Sequence, residues 1–158
     1  MITRFALGSL AVTTLLVACQ KPAPKFTVQD AVTVRGLFDS AVTEIRGGRF
    51  DAWAAHFAQD ARFHRSNAPV LVGRPAILAW GKSLPPAEVF TFDHVEIHGE
   101  GDLAYGWSGV VLKFRGLPAD TAKQLVVFRR DSTRHWLVQA GSVTSDLPLP
   151  QSSSTGRR

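Results

Sequence analysis

VFTFDHVEIHGEGDLAYGWSGVVLKF, residues Val89–Phe114, is the stretch that decides the fold. It is dense in β-branched and aromatic residues and contains no proline. The cluster Gly99-Glu100-Gly101-Asp102 interrupts it once, so it predicts two long antiparallel strands, Val89–His98 and Leu103–Phe114, joined by a short turn. On the second strand Tyr105, Trp107 and Val111 fall on one side and Val110, Leu112 and Phe114 on the other, because strand side chains alternate. Both faces are therefore apolar, and both need cover. Downstream the same character continues in Gln124–Arg130 and Trp136–Val143, bounded by Gly116–Asp120 and Asp131–Arg134.

Upstream of this stretch the period changes. Thr27 with Asp30 three residues on reads as a helix-capping pair, and Ala31, Val34, Phe38, Ala41, Val42 and Ile45 recur at helical spacing, predicting a helix over about 28–46 that Gly47-Gly48 stops. Phe50, Trp53, Ala54 and Phe57 predict a short second helix before Asp60, forming a helical hairpin with the first. Short extended pieces follow at Ala61–Arg65 and Val70–Val72, with a turn between them at Ser66–Pro69. Gly73-Arg74-Pro75 then opens a third helix carrying Ile77, Leu78 and Trp80, which Pro85-Pro86 closes. Helices first and strands afterwards indicate an α+β domain with helices on one face of a mostly antiparallel sheet. No internal repeat is visible.

The ends of the chain read differently. Met1–Arg4 is a short positive segment and Phe5–Ala18 an apolar run, too short for a bilayer that needs about 20 apolar residues, so residues 1–18 read as a signal peptide. The run ends in Leu16-Val17-Ala18-Cys19, which resembles the bacterial lipobox, whose cysteine becomes the lipidated first residue of the mature protein. Cys19 is the single cysteine, so no disulfide partner competes for it, and multiple acyl chains would anchor the protein stably. Gln20, not Asp, follows it; by the sorting pattern of lipoproteins this points to the outer membrane, facing the periplasm. Residues 19–26 then form the lipidated cysteine and a proline-containing tether, 27–148 the folded domain and 149–158 a Ser-rich flexible tail. Losing residues 1–18 removes only Arg4 among charged side chains, lowering the formal charge from +5 to +4. With no run of like charges, this mild excess suits anionic lipid at most, and a nucleic-acid partner is not expected.

Four phrases in order carry a family resemblance: the amphipathic first helix, Phe57-Ala58-Gln59-Asp60-Ala61, Gly73-Arg74-Pro75-Ala76-Ile77, and Trp136 through Asp146-Leu147-Pro148. Together they resemble the SnoaL-like branch of the nuclear-transport-factor-2-like superfamily, over about Val28–Pro148. The resemblance implies a cone-shaped fold in which three N-terminal helices close over a strongly curved sheet and leave a pocket between them. It also implies a range of functions, from isomerases, dehydratases and polyketide cyclases to proteins that only bind, so the site must decide.

Many related sequences carry an acid about five residues beyond the last-strand tryptophan; here Gly141 stands there. An oxyanion site would have to combine Tyr105, the only tyrosine, with Asp93 or Asp39. The five histidines are His56, His64, His94, His98 and His135, with no H-x-H pair and one H-x-x-x-H spacing, His94 to His98. His94 and His98 share a strand face, yet a metal site is not expected. His56 reads as a helix-surface residue, and Asp60 as a corner-organising one. No P-loop, dinucleotide fingerprint, nucleophile elbow or Cys–His pair is present, so no cofactor is expected. On cone geometry the expected pocket lining is Trp53, Phe57, His64, Trp80, Tyr105, Trp107 and Phe128. The favoured reading is an envelope lipoprotein that binds a small apolar ligand or a protein partner, and that forms a homodimer through the open sheet face. The alternative is an isomerase, dehydratase or cyclase using the same pocket.

Overall fold

The computed structural model describes residues 24–148; Cys19, the apolar run before it and the tail from 149 lie outside them. Three helices, α1 (Val28–Arg46), α2 (Phe50–Ala55) and α3 (Arg74–Ser83), accompany six strands: β1 (Phe57–His64), β2 (Leu71–Val72), β3 (Ala87–Glu100), β4 (Leu103–Phe114), β5 (Asp120–Arg130) and β6 (Trp136–Ser145). The strands form one sheet in the order β2-β1-β6-β5-β4-β3, antiparallel throughout except where β1 runs parallel to β6. The result is the α+β architecture the sequence implies, with helices packed on one face of a curved sheet. No helix among the described residues is long and apolar enough to cross a membrane.

Local chemistry sets the element boundaries. Thr27 caps α1 through a reciprocal pair: its hydroxyl accepts from the Asp30 amide at 3.2 Å, and the Thr27 amide donates to the Asp30 carboxylate at 2.9 Å. The helix ends at Gly47, and Gly48 turns the chain away with φ of 66°. Asp30 also fastens α1 to the far end of the sheet. It accepts from the Trp136 indole at 3.1 Å and pairs with Arg130 at 2.6 Å, while the Arg130 guanidinium stacks 4.4 Å from the Trp136 ring centre. Burial pushes the Asp30 carboxyl up, but the hydrogen bonds from Thr27, Trp136 and Arg130 outweigh it and hold the group well below the usual carboxylate range.

The second helix is shorter than the sequence suggests. It ends at Ala55, and Phe57-Ala58-Gln59-Asp60-Ala61 belongs to β1, not to the end of α2. Phe57 pairs with Val138 on β6, the register shifts between Phe57 and Arg62, and Phe57 and Ala58 are both buried. Two adjacent buried residues hide the period of two, which is why the segment reads as helical. The two-residue strand β2 is likewise shorter than the expected Val70–Val72 piece, whereas β3, β5 and β6 run a few residues beyond their expected limits. Gly81 allows α3 to approach α2: a methyl group there would meet the Phe50 and Trp53 rings at 3.0 Å.

Candidate functional site

The helices and the inner face of the sheet enclose a half-open cavity of about 260 Å³. Its wall is largely aromatic, with Phe38 from α1, Trp53 from α2, Trp80 from α3, Phe57 and Phe63 from β1 and Phe128 from β5, while β6 adds Val138 and Val143. Trp53 lies edge-on to Phe57 with ring centres 5.0 Å apart, Phe63 meets Trp80 at 5.4 Å, and Phe38 meets Phe128 at 5.7 Å. Such contacts hold the wall rigid while leaving faces and edges turned to the interior.

Four of the seven residues expected to line a pocket, Trp53, Phe57, Trp80 and Phe128, stand on this wall. The other three lie elsewhere. Tyr105 and Trp107 are on the opposite face of the sheet, 42% and 51% exposed, and His64 is exposed beside Ser142 on that same outer side. The reason is register: Phe128 pairs with Ala104 and Val127 with Tyr105, so Phe128 and Tyr105 cannot share a face. The inward row of β4 is Ala104, Gly106, Ser108 and Val110, and at Gly106 any side chain would strike the Phe38 ring at 2.8 Å.

No oxyanion arrangement forms around Tyr105. Its ring stacks on His98 at 5.3 Å, Asp93 lies exposed over Gly109, and Asp39 sits on the outer surface of α1 near Arg35. His94 and His98 are both exposed, and a bulge between Asp93 and Glu96, with His94 at φ of 46°, breaks the alternation that would have put them on one face. Among the described residues no group of three or more His, Cys, Asp or Glu side chains is placed to hold a metal ion. Asp60 accepts from the Gln139 amide at 3.2 Å on the outer surface. That hydrogen bond, with Arg129 and Arg62 near, lowers its pKa.

The cavity has polar lining that sequence reasoning missed. His56, expected on a helix surface, caps the end of α2, reaches the cavity wall and holds Glu44 of α1 through Nε2 at 3.0 Å. Arg65, Ser66, Asp120, Gln124 and Ser145 line the end where β4 and β6 finish and β5 begins. Asp120, Ala122, Gln124, Val126 and Phe128 form one alternating row along β5, so a polar residue breaking an inward apolar row was the available signal. The four carboxylates held below their usual range, Asp30, Asp60, Asp131 and Asp146, are lowered by hydrogen bonds, and none lines the cavity.

Comparison with known proteins agrees with this geometry. Residues 34–145 match the SnoaL-like domain family. A protein of unknown function with a cystatin-like fold from Nostoc punctiforme superposes with a TM-score of 0.68 at 16% identity, covering 80% of this chain and 98% of that one. A nuclear-transport-factor-2-like protein from Novosphingobium aromaticivorans does so at 0.65 and 17%, covering 80% and 86%. ActVI-ORFA from Streptomyces coelicolor gives 0.59 at 19% identity, covering 73% of this chain and 96% of its own. No curated protein is significantly similar in sequence. At these identities the likeness establishes the cone and its curved sheet.

Proposed function

The chain belongs to the SnoaL-like domain family, and on that premise we propose that it is a lipid-anchored envelope protein whose cone binds a small apolar ligand. One observation carries the binding reading: the cavity is walled by aromatic rings, and the carboxylates with perturbed acidity all stand outside it. A proton-transfer enzyme on such a scaffold needs the reverse, an acid or base inside apolar walls with its pKa drawn toward neutrality. Extraction of the mature domain purified from its own envelope, followed by mass spectrometry, tests the reading. A stoichiometric apolar molecule is expected, and repeated recovery of empty protein that also takes up no apolar probe would end it.

The enzymatic alternative, an isomerase, dehydratase or cyclase, has one feature in its favour, the His56–Glu44 pair at the cavity wall. If the pair only joins α1 to α2, His56→Gln lowers stability and leaves ligand affinity unchanged. Turnover of a bound molecule that His56→Gln abolishes would favour the enzyme.

Two further parts of the proposal concern attachment and assembly. Cys19 in its lipobox-like setting supports acylation and the outer-membrane location facing the periplasm; Cys19→Ser is expected to release the protein from the membrane fraction. Leu103, Tyr105, Trp107 and Val111 leave the outer face of β4 apolar and exposed, which supports a homodimer through that face. Light scattering of the lipid-free domain is expected to give twice the monomer mass at micromolar concentration.

A further inference from the structure

At the end of the cone where β5 begins, two cavity-lining side chains hold buried polar atoms without a hydrogen-bond partner: Nε of Arg65 and Oδ1 of Asp120. Each side chain is otherwise fixed. The Arg65 guanidinium lies 5.4 Å from the centre of the Trp80 ring and donates through Nη2 to the Pro69 carbonyl at 3.0 Å. Asp120 accepts through Oδ2 from the Ser145 hydroxyl at 2.6 Å. The Ser145 amide in turn donates to the Ser66 hydroxyl at 2.6 Å, and that hydroxyl donates to the Val143 carbonyl at 3.0 Å. Asp120 thus belongs to a hydrogen-bonded corner with Ser145 and Ser66, Arg65 precedes Ser66 in the chain and lines the same cavity, and each presents one buried atom, a donor and an acceptor, without a partner. Buried groups of this kind are costly unless something satisfies them.

We infer that this corner receives the neutral polar head of an apolar ligand, a hydroxyl or amide that accepts from Arg65 and donates to Asp120 while its ring body fills the aromatic cavity. The inference rests on the binding reading above and adds the class of head group. Charge decides the class. A carboxylate would satisfy Arg65 but face the Asp120 anion, and an ammonium would satisfy Asp120 but face the Arg65 cation. A neutral group with both a donor and an acceptor meets each without repulsion.

Four probes with one body and different heads test this: naphthalene, 2-naphthol, 2-naphthoate and 2-naphthylmethylammonium. Each is titrated into the lipid-free domain while the four tryptophan indole N–H signals are followed by NMR. Trp53 and Trp80 report the cavity, Trp107 the outer face, and Trp136, bound to Asp30 at the far end, reports an intact fold. The naphthol is expected to bind at least about tenfold more tightly than the other three, moving Trp53 and Trp80 but not Trp107. Asp120→Asn leaves Arg65 without an opposing anion and is expected to shift the preference to 2-naphthoate; Arg65→Gln is expected to shift it to the ammonium. Should Asp120→Asn lose the Trp136 signal, Asp120→Ser replaces it, and wild-type selectivity is decisive on its own. Equal binding of all four probes at Trp53 and Trp80, or a wild-type preference for a charged head, overturns the head-group inference and leaves the binding reading intact. Absence of any shift, naphthalene included, overturns both.

Discussion

The two faces of β4 differ in burial far more than in apolarity. Ala104, Val110 and Phe114 on the inner row are 2%, 3% and 7% exposed, while Leu103, Tyr105 and Trp107 on the outer row are 55%, 42% and 51% exposed. An alternating strand with apolar residues at both parities states that both faces will be covered. It does not state which one the helices cover. That choice is made by residues distant in sequence: Phe38 against Gly106, and Asp30 against Arg130 and Trp136.

An inner-row aromatic is expected to carry the largest share of stability. Phe128 is 2% exposed and meets Phe38, so Phe128→Ala is expected to cost about 4 kcal/mol in a urea melt. Next comes the contact that helps fix α1 to the inner face. Asp30→Ala leaves the Arg130 guanidinium, with a side chain only 6% exposed, without its closest anion, and is expected to cost about 3 kcal/mol at pH 7. Because the folded-state pKa of Asp30 lies below its unfolded value of about 3.9, its stabilisation is whole above that pH and is lost as pH falls through the folded value. The gap between Asp30→Ala and wild type should therefore narrow in melts at progressively more acid pH, and a constant gap would assign the effect to packing. On the outer row, Trp107→Ala is expected to change monomer stability by less than about 1 kcal/mol while weakening self-association in light scattering.

Much of the fold was legible because its signals are local. The capping pair Thr27/Asp30, the double glycine after Arg46 and the turn at Gly99–Asp102 each act within a few residues. The start of β1 was not, since Phe57 and Ala58 are adjacent and both buried, beside an irregular register against β6. Trp53 and Trp80 were readable as wall residues from helical spacing, whereas Phe57 stands on the wall from β1 and not from the helix its spacing suggested. The placement of Tyr105, Trp107 and His64 hung on a register that one residue of slip inverts. The polar corner was hidden for another reason. Arg65, just past the end of β1, and Asp120, at the start of β5, are 55 positions apart, and Ser66 and Ser145 link the two segments only once β1 lies parallel to β6.

The proposed ligand enters the aromatic cone and not the exposed sheet face, so filling the cone should block it. Ala122 lines the cavity on the inner row of β5 and is 3% exposed, so Ala122→Phe places a ring where an apolar molecule would sit. Affinity for naphthalene is compared among the wild type, Ala122→Phe and Trp107→Ala, with the Trp136 indole signal as the check on folding. At least about a tenfold loss of affinity is expected in Ala122→Phe and none in Trp107→Ala. Unchanged binding in a folded Ala122→Phe, or a loss confined to Trp107→Ala, would contradict it and move the binding site to the outer face.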